Sequence, residues 1–198
     1  MLSALSGLAV ALVQLDVFGG DDGPSPTSTP VSDFKLYTSI SKGYSIMYPE
    51  NWVVVQGFPA GGYEADIFKE PATEGEGPSN VNIICDPLPA GVTRENFSAE
   101  EYVEFGLADL EASDVDPQVA DHVRAGDDTS PLIFYSTEVT GQTEVLGQQF
   151  EAGQEVDISQ VAVVDDTCAW VLTLTTGRGD RSKHLDTFLE MAKTFESQ

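Results

Sequence analysis

A chain of 198 residues with 33 acidic and nine basic side chains, a formal net charge of −24, is a poor partner for nucleic acid or for an anionic membrane face. Both need Lys and Arg to displace counterions. Its content of 41% hydrophobic and 21% charged residues is that of a soluble globular protein, and its length suits one domain plus an appendage whose core needs no metal or disulfide to fold. The acidity has two readings: a solubilising surface, or a docking face for a basic partner or divalent cations.

Residues 1–15, MLSALSGLAVALVQL, are apolar and rich in small residues. The run is shorter than the about 20 residues that a bilayer span takes. It matches the core of a secretory signal, although no Lys or Arg precedes it and no A-x-A site follows. Residues 1–18 are therefore read as a signal- or anchor-like segment, against the plainer reading of an N-terminal extension. Residues 19–32 are rich in Gly, Pro, Ser, Thr and Asp and predict a flexible linker. The folded domain is expected over 33–198.

Strand patterns come first. Phe34 to Ile40 predicts a short strand, and Tyr44 to Tyr48 a second that Pro49 stops. Pro49-Glu50-Asn51 is a turn. Trp52 to Gln56, with three consecutive valines, predicts a third strand and Ala65 to Lys69 a fourth. Residues 75–79 read as a loop, and Asn80 to Cys85 as a strand with Val81, Ile83 and Cys85 on one face.

Ser98 and Glu101 form an S-x-x-E capping box at the start of a helix over 98–112. Val103, Leu107 and Leu110 make its apolar stripe. Residues 113–130 read as an acidic loop with room for a short strand. Pro131 to Val139, Val145 to Phe150, Val156 to Val164 and Cys168 to Thr175 predict strands. Thr140-Gly141-Gln142 and Asp165-Asp166-Thr167 serve as hairpin turns. A closing helix over 181–196 carries Leu185, Phe188, Leu189, Ala192 and Phe195 on one face. Strands in hairpin order with two widely separated helices predict an α+β domain, an antiparallel sheet covered by helices.

Catalytic chemistry has little to work with. The bases available to a Ser or Cys nucleophile are His122 and His184, and no G-x-S-x-G elbow, P-loop or dinucleotide fingerprint is present. A solvated His122, a boundary His184 and a non-enzyme are expected; a deep pocket holding His184 beside a carboxylate would instead favour a small-ligand-binding or hydrolytic domain. Asp114, Asp116 and Asp121, with Asp127-Asp128 nearby, concentrate oxygen ligands in the acidic loop and make calcium the candidate metal. The plainer reading is a solvated loop. Arg178-Gly179-Asp180 is expected to form a turn with Asp180 capping the last helix. Cys85 and Cys168 both fall on apolar strand faces. They are either bonded, if their strands are neighbours, or two separate buried thiols.

Four stretches in order resemble one family. Asp33-Phe34-Lys35 is followed by Gly43 to Pro49 and Trp52; Ser79-Asn80-Val81 opens a strand with a short gap to the capped helix; Val161 to Val164 and Cys168 to Leu174 flank an Asp-containing turn; and Lys193-Thr194-Phe195 closes the chain. With Tyr44, Pro49 and Trp52 as signature, the chain resembles the PsbP-like family. The resemblance implies an α/β/α sandwich around a central antiparallel sheet, the Mog1/PsbP-like fold. It also implies an extracytoplasmic accessory role, in the bacterial envelope or thylakoid lumen, beside a protein partner in or on a membrane complex. The membrane itself is reached through the N-terminal segment alone. A calcium-responsive extrinsic subunit of a photosynthetic complex is the alternative within the family. The sequence departs from the pattern in having only Lys35, Lys42, Lys69, Lys183 and Lys193 for lysine-based docking, and in lacking a lipoprotein cysteine.

Overall fold

The computed structural model describes residues 33–60, 62–71, 79–113, 115–139, 143–145, 148–150 and 153–198. The readings of residues 1–18 and 19–32, the turn at 140–142 and most of the 75–79 loop lie outside them, as does Asp114. β1 (Phe34–Ser39) and β2 (Tyr44–Pro49) form a hairpin. After Trp52 come β3 (Val53–Ala60), β4 (Tyr63–Lys69) and β5 (Ser79–Pro87). Helix α1 (Ala99–Ala112) follows, then β6 (Gln118–Ala125) and β7 (Asp128–Glu138). The short β8 (Thr143–Val145) and β9 (Gln148–Phe150) pair with each other. The chain closes with β10 (Glu155–Val164), β11 (Cys168–Gly177), α2 (Arg181–Lys193) and β12 (Glu196–Ser197).

Seven strands make one antiparallel sheet in the order β3-β4-β5-β11-β10-β7-β6. Alternation along its strands sends apolar side chains to both faces. On one face Ile84, Ile133, Ala162 and Val171 pack against Tyr102, Val103 and Leu110 of α1. On the other, Val81, Ile83, Val161, Leu172 and Leu174 pack against Phe188, Met191 and Ala192 of α2 and against the small sheet β1-β2-β12. The result is the α/β/α sandwich.

The capping box of α1 is present with both of its bonds: the Glu101 amide donates to Ser98 Oγ and the Ser98 amide to Glu101 Oε2. Trp52 is 5% exposed within the α2-side core, its amide donating to the Pro49 carbonyl at 3.0 Å. Replacing it with alanine should cost about 3–5 kcal/mol in a urea titration, because a large buried ring leaves a cavity that the sheet cannot close. A near-neutral result would show that the core closes around the missing ring.

Four expectations need correction. The acidic loop is a strand hairpin: β6 spans Gln118–Ala125 and turns at Gly126-Asp127 into β7. β6 lies at the sheet edge, and a register shift between Val119 and His122 breaks its alternation, so little apolar periodicity survived to be read. The single strand expected over Val145–Phe150 is two three-residue strands that pair antiparallel, with Val145 opposite Gln148. The last helix stops at Lys193, because Thr194 turns its hydroxyl to the Met191 carbonyl and accepts the Met47 amide, drawing the following residues into the ladder with β2. Asp180 makes no side-chain cap; its carboxylate pairs with Lys183, and Arg178 pairs with Glu155.

Cys85 and Cys168 are bonded, with Cα atoms 5.4 Å apart. Their strands β5 and β11 are neighbours, and the register sets Cys168 opposite Pro87 and Cys85 opposite Trp170, a diagonal step that brings the two sulfurs together.

Candidate functional site

The small sheet is anchored by one buried carboxylate. Asp66, 1% exposed on β4, accepts hydrogen bonds from Tyr44 Oη at 2.7 Å, Tyr37 Oη at 3.1 Å and the Gly57 amide at 3.0 Å. Lys42 Nζ, from the β1–β2 turn, lies 2.6 Å from its other face. Burial alone would raise this carboxyl's pKa, but the bonds from Lys42, Gly57 and Tyr44 and the Lys42 charge outweigh it and hold the carboxyl below its ordinary value. The same burial and the facing carboxylate drive the Tyr44 hydroxyl far above the usual phenol range. Both groups keep one protonation state at neutral pH, so the cluster serves as a fixed strut. The motif Ala65-Asp66-Ile67-Phe68 held the signal for it: one acid inside an apolar strand.

Between them, α2 and the β1–β2 hairpin leave an open groove of about 580 Å³. Phe34, Met47 and Leu189 provide its apolar lining, and Asp186, Glu190 and Lys193 its charged rim. The placement follows from local pattern. Leu189 flanks the buried stripe of α2, one residue on from Phe188, so it is only half covered. Met47 sits on the outer face of β2 opposite Leu36, which is 64% exposed. Thr194 ties the two walls, since its hydroxyl accepts the Met47 amide at 2.9 Å. Sequence reading found Leu189 and Met47 as members of a helix and a strand; that their outer edges face each other across a groove depends on how the layers dock.

Each lysine has a partner, a ring or the core beside it. Lys42 is paired with Asp66, Lys183 with Asp180 and Lys193 with Glu190. Lys35 donates to the Glu50 carbonyl and lies over the Tyr48 ring. Lys69 is buried, which lowers its pKa. Tyr44 and Trp52 are core residues, and Pro49 is buried beside them. Asp116 and Asp121 are exposed, the latter on β6. Among the described residues no three His, Cys, Asp or Glu side chains are grouped to hold a metal. His122 lies on exposed β6, 3.7 Å from Glu100, and His184 lies 3.4 Å from Glu70; neither lines the groove.

Comparison with known proteins agrees with this architecture. The family model PsbP matches residues 32–197. The solution structure of cyanobacterial PsbP (CyanoP) from Synechocystis sp. PCC 6803 superposes with a TM-score of 0.50 at 16% identity, covering 88% of this chain and 98% of that one. LpqN of Mycobacterium tuberculosis, described as involved in cell envelope biogenesis, gives a TM-score of 0.46 at 12% identity over 82% of this chain and 89% of its own. No curated protein sequence matches the chain. With the family model spanning the whole folded domain, the chain belongs to the PsbP family.

Proposed function

We propose that this domain is a non-catalytic accessory module of an extracytoplasmic compartment, and that it docks a protein partner through the α2–β1–β2 groove. The partner segment carries an apolar side chain flanked by Lys or Arg. One observation supports this reading above others: an apolar floor is rimmed by Asp186 and by a Glu190–Lys193 pair, leaving a net negative rim, on a protein of net charge −24 whose other lysines are paired, stacked or buried. Such a surface steers basic partners and repels acidic ones. The Cys85–Cys168 bond supports the compartment, since structural disulfides persist where thiols are not kept reduced.

The test is retention of a partner from native membranes by the wild-type chain and by an Asp186→Lys/Leu189→Glu double variant. A fluorescent peptide of alternating Leu and Lys serves as a defined probe. Wild type should hold both, with peptide affinity falling as salt rises. The double variant should lose both while its thermal unfolding stays unchanged. Equal binding by the two proteins would remove the groove as the docking site.

The N-terminal 31 residues should add nothing to the stability of the domain, because no periodic apolar pattern runs between Asp16 and Ser32 that could pack on a core. A chain beginning at Ser32 is expected to melt within a few degrees of the full chain; a larger loss would place part of that segment in the fold.

A further inference from the structure

Three buried hydroxyls without a hydrogen-bond partner among the described residues, Ser79 Oγ, Thr176 Oγ1 and Ser159 Oγ, lie on the sheet face that α2 covers, and Arg181 Nε in the first turn of that helix is likewise unpartnered. The placement of the hydroxyls follows from register. Thr176 is directly opposite Ser79 on β5 and Asp157 on β10, and Asp157 is opposite Ser136 on β7. The four therefore share one sheet face. Ser159 lies two residues along β10 on that face, opposite Leu174. Leu174 belongs to the core beneath α2, which identifies the face.

The first turn of α2 spans this row from end to end. On one side Arg181 donates to the Tyr135 carbonyl at 2.9 Å, lies 3.5 Å from Asp157 Oδ1 and covers the Phe134 ring at 4.9 Å. On the other, His184 Nδ1 lies 3.4 Å from Glu70 Oε2, and the Glu70 amide bonds to the Ser79 carbonyl. The three hydroxyls lie between these anchors, with Ser79, Ser159 and Thr176 each no more than 2% exposed.

A buried hydroxyl that has lost water and gained nothing is costly, and three in one place are rarely left so. The ligand must both donate and accept, because each hydroxyl does both while Arg181 Nε only donates. It carries no charge, because Asp157, the carboxylate of the row, already has the Arg181 guanidinium 3.5 Å away. Water meets these conditions, and a buried water typically makes about three hydrogen bonds to such groups. We infer that the Ser79–Thr176–Ser159 row binds ordered water beneath the first turn of α2. The amino end of the helix thus rests on a hydrated polar seat, while Phe188, Met191 and Ala192 hold its other half on apolar core.

Oxygen-17 relaxation dispersion of solvent water reads long-lived internal waters in the full chain. It should show a contribution in wild type that is lost in a Ser79→Ala/Ser159→Ala/Thr176→Val variant. Equal dispersion in the two overturns the inference. Should the triple variant fail to fold, the isosteric Thr176→Val alone is read by urea titration. A folding constant lowered about fivefold supports a water-satisfied hydroxyl, and an unchanged or raised one shows that no water was bound there.

Discussion

Replacing Asp66 with asparagine should lower the free energy of unfolding by about 3–5 kcal/mol, because it strips the partner from a largely buried lysine. Asp66 is 1% exposed and the Lys42 side chain 14%, so solvent offers little rescue. Two tyrosine hydroxyls and the Gly57 amide also lose a charged acceptor. Urea titration of the full chain measures the loss. Removing both charges, as Asp66→Asn/Lys42→Met, should restore part of it, since the second substitution removes the stranded ammonium. A single variant within about 1 kcal/mol of wild type, the size of an exposed ion pair, would show that the strut carries no weight.

The pH dependence has a definite sign. Asp66 titrates lower in the folded chain than its ordinary value of 3.8. Between the two values the unfolded chain binds more protons, so stability rises with pH there. The contribution of Asp66 is thus complete above its unfolded pKa and is lost as pH falls through the folded one. Wild type and Asp66→Asn should converge in stability below that window and stay apart at neutral pH.

Reducing the Cys85–Cys168 bond should cost at most about 4–5 kcal/mol on the chain-entropy model, because the closed loop is long. The two residues are separated by 83 positions, and Cys168 is 7% exposed. Unfolding curves with and without reductant give the cost. Alkylation of unfolded, unreduced protein followed by intact mass gives the pairing. The expected product carries no alkyl group; two alkylated thiols would end the assignment and weaken the compartment proposal with it.

Local chemistry is what the sequence carries well. The Ser98–Glu101 box marked the start of α1 because both of its bonds lie within four residues. The β10–β11 hairpin was readable for a similar reason: Asp165 accepts from the Thr167 and Cys168 amides and from Trp170 Nε1, all within five residues. Strand faces were legible wherever alternation was intact, as in Val81, Ile83 and Cys85. Alternation failed on β6, where an edge position and a bulge leave few apolar residues to announce a strand.

The sequence by itself therefore determined the antiparallel, two-helix character of the domain and its acidic surface. Each follows from composition or from a period of two or 3.6 residues. Tertiary structure alone decided which strands became neighbours. That choice bonded Cys85 to Cys168 and aligned Ser79, Thr176 and Asp157 beneath α2. It also set Asp66 against two tyrosines and a lysine from another sheet, and opened the groove between Leu189 and Met47. The physical reason is the range of the interactions. Helix caps, turns and strand faces are fixed by residues a few positions apart, whereas these sites join residues tens of positions apart whose approach is set by the packing of layers on both faces of one sheet.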